Sequence, residues 1–170
     1  MKPAIRLLPL VLYIGTIFAA NWAITTFGLV PVGFGLIAPA GVYFAGLAFT
    51  LRDLTHEALG TGVVVGAILV GALLSALISP QVAIASGAAF LFSELLDLLV
   101  YTPLRQRHWV AAVFCSNVAG LVADSAIFLA IAFGSLEFLA GQVVGKGWMT
   151  LLAVALLWSL RRGRVLRSAG

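Results

Sequence analysis

The sequence predicts an all-α integral membrane protein, a bundle of six transmembrane helices with both termini cytoplasmic. The expectation rests on composition, on the recurrence of long apolar windows, and on a one-sided distribution of Lys and Arg. Hydrophobic residues make up 62% of the 170 positions and charged residues 9%, whereas soluble domains carry about 25% charged residues. Mean hydropathy is +1.14. Such a chain cannot cover its surface with polar groups and needs a lipid exterior.

A helix needs about 20 apolar residues to cross the hydrocarbon core. Six windows of roughly that length are read along the chain: Leu7 to Phe27, Gly35 to Leu51, Thr61 to Ser79, Gln81 to Tyr101, Trp109 to Phe133 and Leu136 to Leu160. The segments between them are short and punctuated by Gly, Pro, Ser or charge: "GLVPVG", "RDLTHEALG", "SPQ", "TPLRQRH" and "GS". No soluble domain fits between the spans, so residues 1–170 are expected to form one transmembrane domain. The opening "MKPAIRLLPLVLYIGTIFAANWA" imitates a signal peptide, with Lys2 and Arg6 before an apolar stretch and small residues at Ala19 and Ala20. The apolar run continues past them, and a retained first helix is expected.

Orientation follows from the basic residues, which accumulate on the cytoplasmic side. Lys2 and Arg6 precede the first window, Arg52 follows the second, Arg105 and Arg107 separate the fourth and fifth, and Arg161, Arg162, Arg164 and Arg167 follow the sixth. With the N-terminus inside, all fall on one side, whereas "GLVPVG", "SPQ" and "GS" contain no Lys or Arg. The basic C-terminal cluster reads as an anchor at an anionic membrane surface. Nucleic-acid binding is not expected, because no soluble module presents the cluster. Small residues at four-residue spacing, Gly62 with Gly66 and Ala19 with Ala23, are the type that lets membrane helices approach closely.

Ionisable groups within the apolar windows carry the functional signal. Each costs about 3 kcal/mol near the bilayer centre on insertion scales, so several of them imply a shared polar interior. At about 1.5 Å of rise per residue, Glu94 falls near the midplane and Asp97 about 6 Å toward the cytoplasm, while Asp124 and Lys146 both lie about 4 to 5 Å toward the outside. Asp124 and Lys146 are therefore expected to pair. Arg52 can reach the level of Asp97 and Asn117, which leaves Glu94 without an evident cation and makes it a candidate ligand contact or protonatable group. Residues three, four or seven apart share a helix face. Glu94, Asp97 and Tyr101 form one such face; Asn117, Gly120, Asp124 and Phe128 a second; Gln142, Lys146 and Met149 a third. Three polar faces imply one common cavity, with Phe90, Tyr101 and Phe128 as aromatic walls for a planar ligand. For Asp53 and His56 a solvated helix end is the ordinary explanation, and for Trp22 and Trp109 an interfacial belt.

Motifs for catalysis and cofactors fail. "GFGLIA", Gly33 to Ala38, matches a dinucleotide fingerprint by letter but lacks the strand–helix context that gives it a mechanism. Phosphate-binding, serine-hydrolase, zinc and paired-Cys patterns do not occur, and Cys115, a single thiol in an apolar run, reads as a buried structural thiol. No cofactor, metal or catalytic residue is expected, and the chain is read as a non-enzyme.

Two segments give a more specific reading. "FLFSELLDLLVYTPLR", Phe90 to Arg105, and "NVAGLVADSAIF", Asn117 to Phe128, resemble the queuosine precursor transporter family, also called the VUT or vitamin uptake transporter family, and "RDLTHEALG" looks like that family's charged inner loop. The resemblance implies a multi-pass inner-membrane importer of 7-deazapurines such as 7-cyano-7-deazaguanine (preQ0), with Glu94, Asp97, Asn117, Asp124 and Ser125 at or near the substrate path. A carboxylate can accept the adjacent ring N–H and exocyclic amine of a guanine-like edge together. Arg52, Lys146, Phe90, Tyr101 and Phe128 complete the candidate substrate-binding set. Two other functions stay open: a substrate-binding subunit of an energy-coupling vitamin transporter, and a non-transporting membrane scaffold. A homodimer or an energising partner is compatible with the sequence. Reporter fusions at Gly170 and within "GLVPVG" are expected to report opposite sides of the membrane; the same side for both would refute the topology.

Overall fold

The computed structural model describes residues 3–104 and 109–168. Lys2, Arg105 and Arg107 lie outside the described residues, as do the side chains of Tyr101, Trp109, Arg161, Arg162, Arg164 and Arg167. The described chain forms α1 (Pro3–Phe27), a hairpin of β1 (Leu29–Gly33) and β2 (Leu36–Pro39), then α2 (Val42–Leu59), α3 (Thr61–Ala76), α4 (Pro80–Leu104), α5 (Trp109–Phe133) and α6 (Leu139–Ser168). The architecture is helical, with one small antiparallel sheet.

The hairpin is the main departure from the expected helices. Gly33, Phe34 and Gly35 all have positive φ, at 100°, 56° and 74°. This left-handed run cannot begin a helix, and it turns the chain back on itself. Leu29 pairs with Pro39 and Val30 with Ala38, and an irregularity between Pro31 and Gly33 shifts the register. The second helix therefore begins at Val42, not Gly35. It runs through "RDLTHEAL" and stops at Gly60, whose φ of 86° ends it. Arg52 is consequently an interior residue of α2 and not its last. The fifth helix has the expected bounds, though its Cys115, expected to be buried, is exposed on the apolar surface, while α3 stops short of Ser79 and α6 runs from Leu139 to Ser168.

Among the described residues, Arg6–Phe27 and Cys115–Phe133 are long and apolar enough to cross a membrane, and the apolar α3 is shorter. The surface is apolar: Val11 on α1, Leu73 on α3, Ile84 and Leu99 on α4 and Leu151 on α6 are all more than half exposed. So many exposed large apolar side chains suit hydrocarbon better than water. Polar groups lie inside: Asn21, Arg52, Ser86, Glu94, Asp124, Ser125, Gln142 and Lys146 are all buried. In α2, only Asp53 and Glu57 are exposed, and this helix packs against α1, α3 and α6. One apolar cluster gathers Tyr13, Ile17, Ala48, Val64, Ile68 and Phe90 from α1 to α4; another joins Ala85 and Ala89 of α4 to Phe128 and Leu129 of α5.

Close helix approaches occur at glycines other than those the spacing singled out. Gly62 and Gly66 face open space, whereas a Cβ on Gly71 would meet Ile17 at 2.9 Å and one on Gly141 would meet the Ile37 carbonyl oxygen at 2.0 Å. Gly141 thus lets α6 lie directly against β2. Gly141→Ala is expected to lower stability by about 1–3 kcal/mol, as overpacking does, while Gly62→Ala leaves it unchanged or raises it; thermal unfolding of the two purified variants in detergent is the measurement.

Candidate functional site

The buried polar groups form two layers. In the first, the Lys146 ammonium on α6 donates to Asp124 of α5 and, at 2.8 Å, to Ser125 Oγ. Ser125 Oγ itself donates to the Leu121 carbonyl, 2.8 Å away, one turn earlier in α5. The expected Asp124–Lys146 pair is present, and both side chains are almost fully buried. Two charges taken from water into such a place cost several kcal/mol each, which their attraction and the added hydroxyl offset.

This ion pair forms part of the wall of a small chamber. Phe90 and Ser86 of α4, Phe128 of α5, Gln142 of α6, Ala20 of α1 and Val42 of α2 contribute other parts. Its volume is about 20 Å³, enough for one water-sized body. Ser86 donates to Asn21 Oδ1 at 2.6 Å, tying α4 to α1. Asn21, Ser86 and Gln142 are buried polar groups that the charge pattern does not single out; only Gln142 is marked beforehand, as a neighbour of Lys146 on its helix face.

The second layer centres on Arg52. Its guanidinium donates from Nε and Nη2 to Asp53 Oδ1 at 3.0 and 2.8 Å, and its Nε lies 3.3 Å from Glu94 Oε2. The Glu94 contact is an ion pair without hydrogen-bond geometry, because Glu94 Oε2 has no hydrogen-bond partner among the described residues. The guanidinium also sits over the Phe49 ring at 5.2 Å, a cation–π contact. Two expectations are corrected here. Glu94 does have a cation, and Arg52 is bonded to Asp53 and paired with Glu94 instead of being matched to Asp97. The cause is the later start of α2, which carries Arg52 into the bundle interior. Asp97 is half-buried, and its Oδ1 has no partner among the described residues.

The three polar faces expected to share one cavity do not all line the same space: among the described residues, Asp124, Phe128, Gln142 and Lys146 line the chamber and Asn117 does not. Asn117 is exposed and lines a separate cleft of about 180 Å³ with Phe49, Thr50, Asp53, Leu121 and Thr150. Glu94 and Asp97 line neither space. Between the layers, Phe90 meets Tyr13 and Phe49 edge-on, with ring centroids 6.5 and 6.4 Å apart. Where α4 crosses α5, a Cβ on Gly120 would lie 3.6 Å from the Ser93 carbonyl oxygen and 3.9 Å from the Asp97 Cβ. The Tyr101 side chain, an expected wall, lies outside the described residues. His56 Nε2 lies 2.9 Å from Thr61 Oγ1 at the α2–α3 junction. No cluster of metal-ligating side chains occurs among the described residues.

The acidic segment of α4, the whole of α5 and the Lys146 turn of α6 fall within a stretch that matches a known family. Residues 77–160 match the model of the family described as "Putative vitamin uptake transporter", just under half of the chain. The resemblance read from "FLFSELLDLLVYTPLR" and "NVAGLVADSAIF" is borne out, since both lie inside this vitamin uptake transporter match; "RDLTHEALG" lies outside it. A protein of Haemophilus influenzae named "Probable queuosine precursor transporter" is 36% identical over 87 residues. The match covers 51% of this chain and 36% of that protein, so the chain spans little more than a third of this relative's length. No solved structure matches the chain.

A double-mutant cycle tests what the Lys146–Asp124 pair does. Lys146→Met or Asp124→Asn alone is expected to cost about 3–5 kcal/mol, because each leaves its partner disturbed in a dry site, and the two together cost less than their sum. Additive losses in folded yield and thermal midpoint would show that the pair is not coupled.

Proposed function

We propose that this chain is a multi-pass importer of queuosine precursors in the inner membrane, taking up 7-deazapurines such as 7-cyano-7-deazaguanine. It crosses the membrane six times with both termini cytoplasmic and performs transport, not catalysis. The observation that carries this reading is the inverted distribution of polarity: two ionic layers, Arg52–Glu94 and Lys146–Asp124, are buried inside a bundle whose exterior is apolar. Charges kept at membrane depth mark substrate or ion pathways more often than structural locks. The family match and the name of the Haemophilus relative support the substrate class.

In this reading Phe90, Phe128, Asp124, Ser125 and Lys146 belong to the part of the path formed by the chamber. Arg52, Glu94 and Asp97, with Asn117 at the neighbouring cleft, belong to the cytoplasmic part, and Tyr101 extends the Glu94 face. Glu94 and Asp97 are suited to accept the paired donors of a guanine-like edge once Arg52 turns fully to Asp53. The chamber is smaller than a bicyclic heterocycle in this closed state, so loading requires the helices to part.

Uptake of 7-cyano-7-deazaguanine by liposomes containing only this protein is the direct test. Uptake without partners supports a solitary carrier; binding without uptake supports a substrate-binding subunit that needs an energising module; neither favours a scaffold. Glu94→Gln and Asp97→Asn, each at normal membrane abundance, are expected to reduce uptake at least about tenfold, the order of one to two lost hydrogen bonds. Wild-type uptake in both variants would remove the two carboxylates from the path.

A further inference from the structure

Gln142 has a feature that its neighbours in the chamber lack. It is 2% exposed, it lines the chamber, and its side-chain carbonyl Oε1 has no hydrogen-bond partner among the described residues. An unmet buried acceptor costs about 1–3 kcal/mol, a stability loss that a fold accepts where a ligand supplies the missing donor. A second unmet group lies beside the same space: Asn21 Nδ2, on the amide whose oxygen accepts from chamber-lining Ser86, also has no partner among the described residues.

The ions of the chamber limit what it can hold. Its lining includes one cation, Lys146, and one anion, Asp124, and these are bonded to each other. A charged ligand would add an uncompensated charge at low dielectric, whereas an uncharged one would not. Phe90 and Phe128, both on the lining and both buried, offer ring surface to a flat molecule.

Resting on the reading of the chain as a heterocycle importer, we infer that the chamber is the recognition site for an uncharged planar heterocycle. Gln142 is a specificity-determining residue there, its Oε1 accepting a hydrogen bond from a ring N–H or exocyclic amine of the ligand. Recognition at this level is assigned to a neutral amide on α6, and the Glu94 and Asp97 carboxylates act elsewhere on the path.

The test uses the purified full chain in lipid nanodiscs, wild type against Gln142→Met, a substitution of similar length that removes the acceptor. The probes are 7-cyano-7-deazaguanine, its N1-methyl and 2-desamino analogues, each lacking one donor, and uncharged pteridines, flavins and pyrimidines. The wild type is expected to bind the parent compound and to lose about tenfold in affinity for at least one donor-deficient analogue, the size of one neutral hydrogen bond. Gln142→Met should weaken the parent by a similar factor and erase the discrimination. Its ligand-free thermal midpoint should equal or exceed that of the wild type, because Oε1 has no bond to lose. Unchanged affinity and discrimination, or a lowered midpoint, would overturn the inference. If the wild type ignores the deazapurines yet binds another uncharged heterocycle in a Gln142-dependent way, the proposed substrate fails and the site stands. Binding of none of the uncharged probes overturns the assignment of the chamber.

Discussion

The Lys146 ammonium, 1% exposed, is the group whose needs shape the chamber end of this fold. Removed from water, it is tolerable only with an opposite charge and further acceptors at hand, and Asp124 and Ser125 supply both from adjacent positions of one helix. Backbone packing between α5 and α6 is sparse compared with the long contact of α4 with α5. The ion pair therefore fixes a seam that side-chain packing alone defines weakly. α4 is held on the other side by Ser86 and Asn21, so the chamber walls are set by polar contacts as much as by apolar ones.

α2 plays a matching part around Arg52. Only Asp53 and Glu57 of its residues are exposed, and it places Arg52 where Glu94, Asp53 and the Phe49 ring converge. One cation thus serves a buried and an exposed carboxylate at once. The exposed partner can be replaced by water at little cost, while the buried one cannot.

Much of this was legible in the sequence because helical rise converts residue number into depth. Counting from helix centres puts Asp124 and Lys146 at one level, and the structure pairs them. α5 has its expected bounds because no Pro and only one charge, Asp124, interrupts the apolar stretch from Trp109 to Phe133. The hairpin was not legible: "GLVPVGFGLIAP" is as apolar as the helices around it, and the deciding property is the positive φ of three successive residues, which composition does not report. Missing it displaced α2 by seven residues, and the partner of Arg52 was misjudged with it. Asn21 and Ser86 escaped notice because neutral polar residues are cheap enough in membrane helices to look incidental. Their significance lies in being bonded to each other across α1 and α4, which a single sequence does not reveal.

The aromatic cluster of Tyr13, Phe49 and Phe90 separates the two ionic layers. Among the described residues, Phe90 touches the chamber on one side and the Phe49 ring beneath Arg52 on the other, so aromatic carbon stands between the two ion pairs. A water molecule in the chamber and one beside Arg52 would have the Phe90 ring between them. A charge passing from one layer to the other would have to displace those rings or go around them.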